Sequence, residues 1–131
     1  MLYLDALVYA GHVHTMGAKA AYRGHLLVEP RRHVEGYGFL TEDEAGEIGR
    51  LVNRLSALLR ERLGADHVYV WAYGGMPETA QTPRHLHLHV NPRYPGTPQA
   101  HWGPMITRWP DAPRVDEAAM RALVATLKDG L

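Results

Sequence analysis

The sequence contains no cysteine. That excludes disulfides, a thiolate nucleophile and thiolate-bound zinc. It also has no excess of either charge: fourteen Lys plus Arg stand against fourteen Asp plus Glu, a formal net charge of zero. Without a basic field to hold a phosphate backbone, DNA and RNA are not expected partners. No apolar run approaches membrane-spanning length, and the opening Met1-Leu-Tyr-Leu-Asp5 lacks the basic and apolar regions of a secretory leader. The expectation is a soluble, cytoplasmic protein without a membrane partner. Internal repeats and low-complexity tracts are missing too, and 131 residues suit a single domain, 1–131, with a core large enough to fold unaided.

What the chain does have is histidine, nine in all, three of them within residues 85–89. The elements around them follow from local pattern. Residues 6–14 are rich in β-formers and read as a strand broken at Gly11, followed by a loop over 15–24. His25 to Val28 reads as a buried strand that Glu29-Pro30 stops, since proline cannot donate to a central ladder. Thr41-Glu-Asp-Glu44 is a capping box. It opens a helix whose apolar stripe is Ala45, Ile48, Val52, Leu55, Leu59 and Leu63, widened by Leu51 and Leu58 and stopped by Gly64. Glu47, Arg50, Arg54 and Arg60 fall on the other face.

His67 to Tyr73 alternates as a strand, a polar loop covers 76–84, and 85–90 is the next strand, ended by Asn91-Pro92. A long loop runs from Pro95-Gly96 past Trp102 and Trp109. A final helix opens at Asp116, with Val115 and Met120 as a hydrophobic staple and Met120, Leu123, Val124, Leu127 and Leu131 as its buried stripe. Strands and helices without regular βαβ alternation indicate an α+β fold with an antiparallel sheet.

His85-Leu86-His87-Leu88-His89-Val90 decides the functional reading. Side chains on a strand alternate, so the three imidazoles share one side and Leu86, Leu88 and Val90 the other, which must be core. Three explanations compete for the imidazole side. A half-exposed strand with chance histidines would normally mix in Thr, Lys or Glu. A metal site, which His25 could join, would want a carboxylate in or beside the strand to orient its rings, and none is there. Nucleophilic attack on phosphorus fits better. Neutral imidazole attacks a phosphoryl centre well and later leaves well, while flanking histidines donate to phosphate oxygens and to the departing group.

The pattern His-apolar-His-apolar-His-apolar resembles the signature of the histidine-triad (HIT) superfamily. Gly24-His25-Leu-Leu-Val-Glu-Pro-Arg-Arg-His33-Val is similar to that superfamily's first block. Leu40-Thr-Glu-Asp-Glu-Ala45 is similar to the start of its long helix, and Gln81-Thr82-Pro-Arg-His85 through Gly96 to its active-site block. The resemblance implies a HIT-like fold: a five-stranded antiparallel sheet with one long central helix and a C-terminal helix, usually in a symmetric homodimer. It also implies a nucleotide-binding hydrolase or transferase that needs no metal or cofactor for the chemistry. His87 would carry the covalent nucleotidyl intermediate, His89 would contact the phosphate and assist the leaving group, and His85 and His25 would orient the site. Gln81 and Thr82 would help hold the phosphate and leaving group.

The match departs from the pattern at Gly17 to Lys19, where an Asp or Asn usually grips the ribose, and at Gly74-Gly75, Ala80, Pro83 and Asn91. An unusual substrate or a weakly active binding module is the corresponding expectation. Of the other histidines, His33 reads as structural, His12 and His14 share a strand face and either lie at the surface or border the pocket, and His67 and His101 carry no role. Arg31, Arg32, Arg84 and Arg93 are either solvated or phosphate-facing. Trp71 and Tyr73 are either core or a stacking surface for a base.

Overall fold

The computed structural model describes residues 1–13, 20–72 and 85–131. His14, Gly17 to Lys19, Tyr73, Gly74-Gly75, Ala80, Gln81, Thr82, Pro83 and Arg84 lie outside the described residues. In chain order the elements are β1 (Tyr3–Leu4), β2 (Val8–His12), β3 (Ala21–Tyr22), β4 (Leu26–Pro30), α1 (Glu42–Leu63), β5 (His67–Trp71), β6 (Leu88–Arg93), β7 (Arg114–Val115) and α2 (Glu117–Lys128). A five-stranded sheet runs β1-β2-β4-β6-β5, antiparallel at every junction. This is the expected α+β architecture, with its long helix and C-terminal helix. No helix among the described residues is long and apolar enough to cross a membrane.

Alternation along the strands builds the core. Val8, Ala10, Leu26, Val28, Leu88 and Val90 point to one side of the sheet and pack with Ile48, Leu51, Leu55, Leu58 and Leu59 of α1 and Leu123 and Leu127 of α2. Each such side chain contributes about 1.5–3 kcal/mol by leaving water. Both helices therefore cover the same face, which leaves the opposite face to the histidines. The stripe on α1 forms as read, with Ile48, Leu51, Leu55, Leu58 and Leu59 buried and Val52 and Leu63 partly buried against the core, except that Ala45 is exposed.

The capping box forms as read. Glu44 N–H donates to the Thr41 hydroxyl at 3.1 Å, and Thr41 N–H donates to the Glu44 carboxylate at 2.9 Å. Gly64 closes the helix in the left-handed region at φ 76°. The Arg32 guanidinium also grips the Glu44 carboxylate, at 2.8 and 3.1 Å, and so anchors the segment after β4 to the start of α1. These bonds, Arg32 first, hold the Glu44 carboxyl down at about 2.

Two expected strand ends move. β6 begins only at Leu88 and continues through Asn91-Pro92 to Arg93. Its pairing with β4 stops at Val90, so Pro92 lies where β6 has only β5 beside it and its missing N–H breaks no bond to β4. β4 likewise includes Pro30, its last pair with β2. The long loop also carries structure. Within it are two short 3-10 turns, Gln99–His101 and Ile106–Arg108, and β7, which pairs with β3. Together with Tyr22 the segment makes a second small core of Tyr22, Ile106 and Ala112, flanked by Tyr69, Tyr94 and Trp109. Two-residue strands carry no periodicity, so nothing local announces them. At the C-terminal end of the α2 stripe, Leu131 is exposed.

Candidate active site

The register places one row of side chains across the face away from the helices. Gly11 pairs with Leu27, Leu27 with His89, and His89 with Trp71. His87 shares the parity of His89, one step back along the chain. His25, just before β4, shares the parity of Leu27 and approaches from the other direction. Its launch depends on Gly24, which has φ 84° and sits where a Cβ would lie 2.8 Å from both Pro92 Cγ and the Tyr94 hydroxyl. No other residue type fits there without displacing that wall.

Hydrogen bonds then set which nitrogen of each ring carries the proton. Nδ1–H of His87 donates to the carbonyl oxygen of His85 at 2.9 Å. A carbonyl can only accept, so the proton is on Nδ1 and the lone pair on Nε2. His85 is held the opposite way. Its Nε2–H donates to the Pro30 carbonyl at 3.0 Å, and its Nδ1 accepts the Val34 N–H at 3.3 Å. The His85 ring thus ties the segment before β6 to the end of β4, and only its backbone oxygen reaches His87. Glu29 lies 3.6 Å from the same Nε2, and the His33 ring stacks on His85 at 5.4 Å.

His89 is fixed from two sides. Its Nδ1 meets Nε2 of His25 at 2.8 Å, and the Trp71 indole stacks on its ring at 3.8 Å and 11°. Burial, with the neighbouring His89, His12 and His87 behind it, pulls the His25 imidazole down to about 3. Burial and then His87 pull His89 down to about 4. Both rings are neutral at pH 7, so one donates a proton in the 2.8 Å bond and the other accepts it. The rings of His87 and His89 meet edge-on, 5.1 Å apart. Since the His25 and His89 nitrogens are bonded to each other, they are not converging on a shared ion. Among the described residues, no group of three or more His, Asp or Glu side chains could hold a metal.

All four expected histidines, 25, 85, 87 and 89, are therefore brought together, while Gln81 and Thr82 fall outside the described residues. Three readings change. His12 is buried, not at the surface: its Nδ1–H donates to the Val13 carbonyl at 2.7 Å, and its Nε2 accepts the Gly24 N–H at 3.0 Å. Trp71 backs His89. Of the arginines, Arg31 bonds the Asp5 carbonyl, Arg32 bonds Glu44, and Arg93 bonds Asp66 and Tyr69 beneath Trp102. His33 is exposed, and His67 and His101 do no more than contact Tyr69 and Trp109. Asn91 is wholly buried, and neither amide atom is hydrogen-bonded among the described residues, which costs about 1–3 kcal/mol. The roles of His12 and Trp71 depend on cross-strand register, which no local pattern encodes.

A family model for the HIT domain matches residues 5–96. Solved structures are similar over almost the whole chain. A Hit-like protein involved in cell-cycle regulation from Bartonella henselae is 20% identical, with a TM-score of 0.64 over 99% of this chain and 84% of that one. A zinc-bound histidine triad family protein from Mycobacterium smegmatis is 24% identical, with a TM-score of 0.64 over 98% and 83%. A diadenosine triphosphate hydrolase from Plasmodium falciparum is 17% identical, with a TM-score of 0.66 over 98% and 73%. At these identities the likenesses show a shared fold.

The depressed histidines make stability depend on pH. Unfolded, an imidazole takes its proton near pH 6.5; folded, His25 does so only near 3. Between those values the unfolded chain binds more protons, so stability is complete above about 6.5 and is lost as pH falls toward 3. The thermal midpoint of the wild type should fall from pH 7 to pH 4. In His25→Gln, which keeps a donor for His89, it should fall less steeply. Equal slopes for the two proteins would contradict the assignment.

Proposed function

The chain belongs to the HIT-domain family, and on that footing we propose that it is a nucleotide-binding enzyme that transfers a nucleotidyl group through His87. The observation that carries this reading is the 2.9 Å bond from Nδ1–H of His87 to the His85 carbonyl. It leaves the Nε2 lone pair as the nucleophile, on a strand whose position the core holds fixed. In the first step Nε2 attacks the α-phosphorus of a nucleoside phosphoramidate or dinucleoside polyphosphate. The P–N or P–O bond to the leaving group breaks, and that group takes its proton from His89. In the second step water attacks the nucleotidyl-histidine and gives a proton back to His89, the P–Nε2 bond breaks, and nucleoside monophosphate departs.

His25 supports the proton transfer by donating Nε2–H to Nδ1 of His89, which puts the His89 proton on Nε2, toward the substrate. His89 is neutral until a phosphate arrives, because burial disfavours its charged form; the phosphate charge then raises its proton affinity. His85 acts through its carbonyl, and Gln81 and Thr82 supply further contacts to phosphate and leaving group. The family resemblance and the Plasmodium relative named a diadenosine triphosphate hydrolase support the substrate class. A binding module with little turnover is the competing reading, favoured by the sequence departures at Gly17 to Lys19 and Gly74-Gly75. Intact-mass spectrometry with an adenosine phosphoramidate and with a dinucleoside polyphosphate separates them. A nucleotidyl adduct or released nucleoside monophosphate is expected in the wild type and absent in His87→Ala. Nucleotide bound without either product would favour the module.

The homodimer is proposed along β5. Among the described residues that strand has a neighbour on one side only; it exposes Val70 and borders a groove lined by Asn53, Ser56, Ala57, Arg60 and His67. An open, apolar strand edge invites a second strand. Val70→Lys should convert a dimer to a monomer in analytical ultracentrifugation, and a dimer unchanged by it would place the interface elsewhere.

A further inference from the structure

The histidine face continues beyond the triad. One residue past the Val28–Leu88 pair, β4 carries Glu29 and the segment entering β6 carries His87; on β2 the partner of Glu29 is Tyr9. Tyr9, Glu29 and His87 thus lie next to the row of Gly11, Leu27 and His89. The Glu29 side chain is partly exposed, with its carboxylate 3.6 Å from Nε2 of His85. The Tyr9 ring leans over Gly11, where a Cβ would lie 2.7 Å from its hydroxyl. Gly11 is therefore the residue that makes room for that hydroxyl. The two arginines that follow Glu29 turn away, Arg31 to the Asp5 carbonyl and Arg32 to Glu44 and the Phe39 carbonyl.

Glu29, on the strand next to the reacting centre and with the Tyr9 phenol one strand further out, makes a poor seat for phosphate oxygens. Like charge repels them, and a carboxylate only accepts hydrogen bonds. We infer that Tyr9 and Glu29 form a subsite that selects substrates presenting N–H donors, either paired ring N–H and amino donors on a base edge, as in guanine, or a cationic amine in the leaving group. The inference rests on the nucleotidyl-transfer reading of His87. An analogue without donors forgoes the bond to Glu29 and leaves its partly exposed carboxylate to water.

The test measures kcat/KM for two matched pairs of phosphoramidates. One pair is guanosine and adenosine with the same neutral amine; the other is adenosine with a cationic and with a neutral amine. The wild type should favour the donor-bearing member of one pair by about tenfold, and Glu29→Leu should abolish that preference. Glu29→Gln keeps an acceptor without the charge, so it should retain part of a base preference and lose an amine preference. The pair that responds identifies which part of the substrate occupies the subsite. Thermal midpoints establish that the variants fold. An equal effect of Glu29→Leu on all four compounds would mean that Glu29 acts only through His85 and would overturn the inference, as would no effect at all. Calorimetric binding of the same compounds to His87→Ala, with and without Glu29→Leu, reads the preference even if nothing turns over. A missing adduct would then count against His87 as nucleophile, and a missing preference against the subsite.

Discussion

The helices take one face of β6, and the site depends on that constraint. Leu88 and Val90 go to the helices. Alternation then leaves His89, and His87 before it, no place except the opposite face. The helices thus act on the site from behind the sheet: α1 packs β6 in position, and the position of β6 sets where the imidazoles stand. A reactive ring on a packed strand has little freedom to lose when a substrate arrives.

Hydrogen bonding adds what packing cannot, a choice of tautomer. The segment carrying His85 and His87 precedes the paired part of β6, so its backbone is not engaged in a full ladder. The His85 carbonyl is consequently available to His87, and the His85 ring is available to join Pro30 and Val34. One departure from regular pairing therefore supplies both the acceptor that polarises His87 and the clamp that holds the segment in place. His25 and Trp71 then frame His89 from the neighbouring strands, with Gly24 admitting His25 at close quarters.

Much of this was legible in the sequence, for identifiable reasons. The capping box at Thr41 and the helical spacing from Ile48 to Leu59 are local signals, and both appear as read. The triad was legible because a period of two needs only five residues to show itself. What was not legible is nonlocal. That Trp71 lies against His89, and Glu29 and Tyr9 beside His87, follows from register between strands far apart in the chain. His12 looked like a surface residue because its strand neighbours say nothing about Gly24, whose N–H it accepts. Asn91-Pro92 looked like a strand terminator because a proline breaks only a fully flanked strand, and the sequence does not reveal that β4 stops pairing at Val90.

The central claim is that the fold places the His87 lone pair on Nε2. Long-range nitrogen–proton correlation spectra of the imidazoles at neutral pH test it directly, with His87→Gln used to assign the signals. The account predicts the Nδ1–H tautomer for His87 and the Nε2–H tautomer for His85. A His87 protonated on Nε2 would leave no nucleophile facing the substrate and would contradict the account.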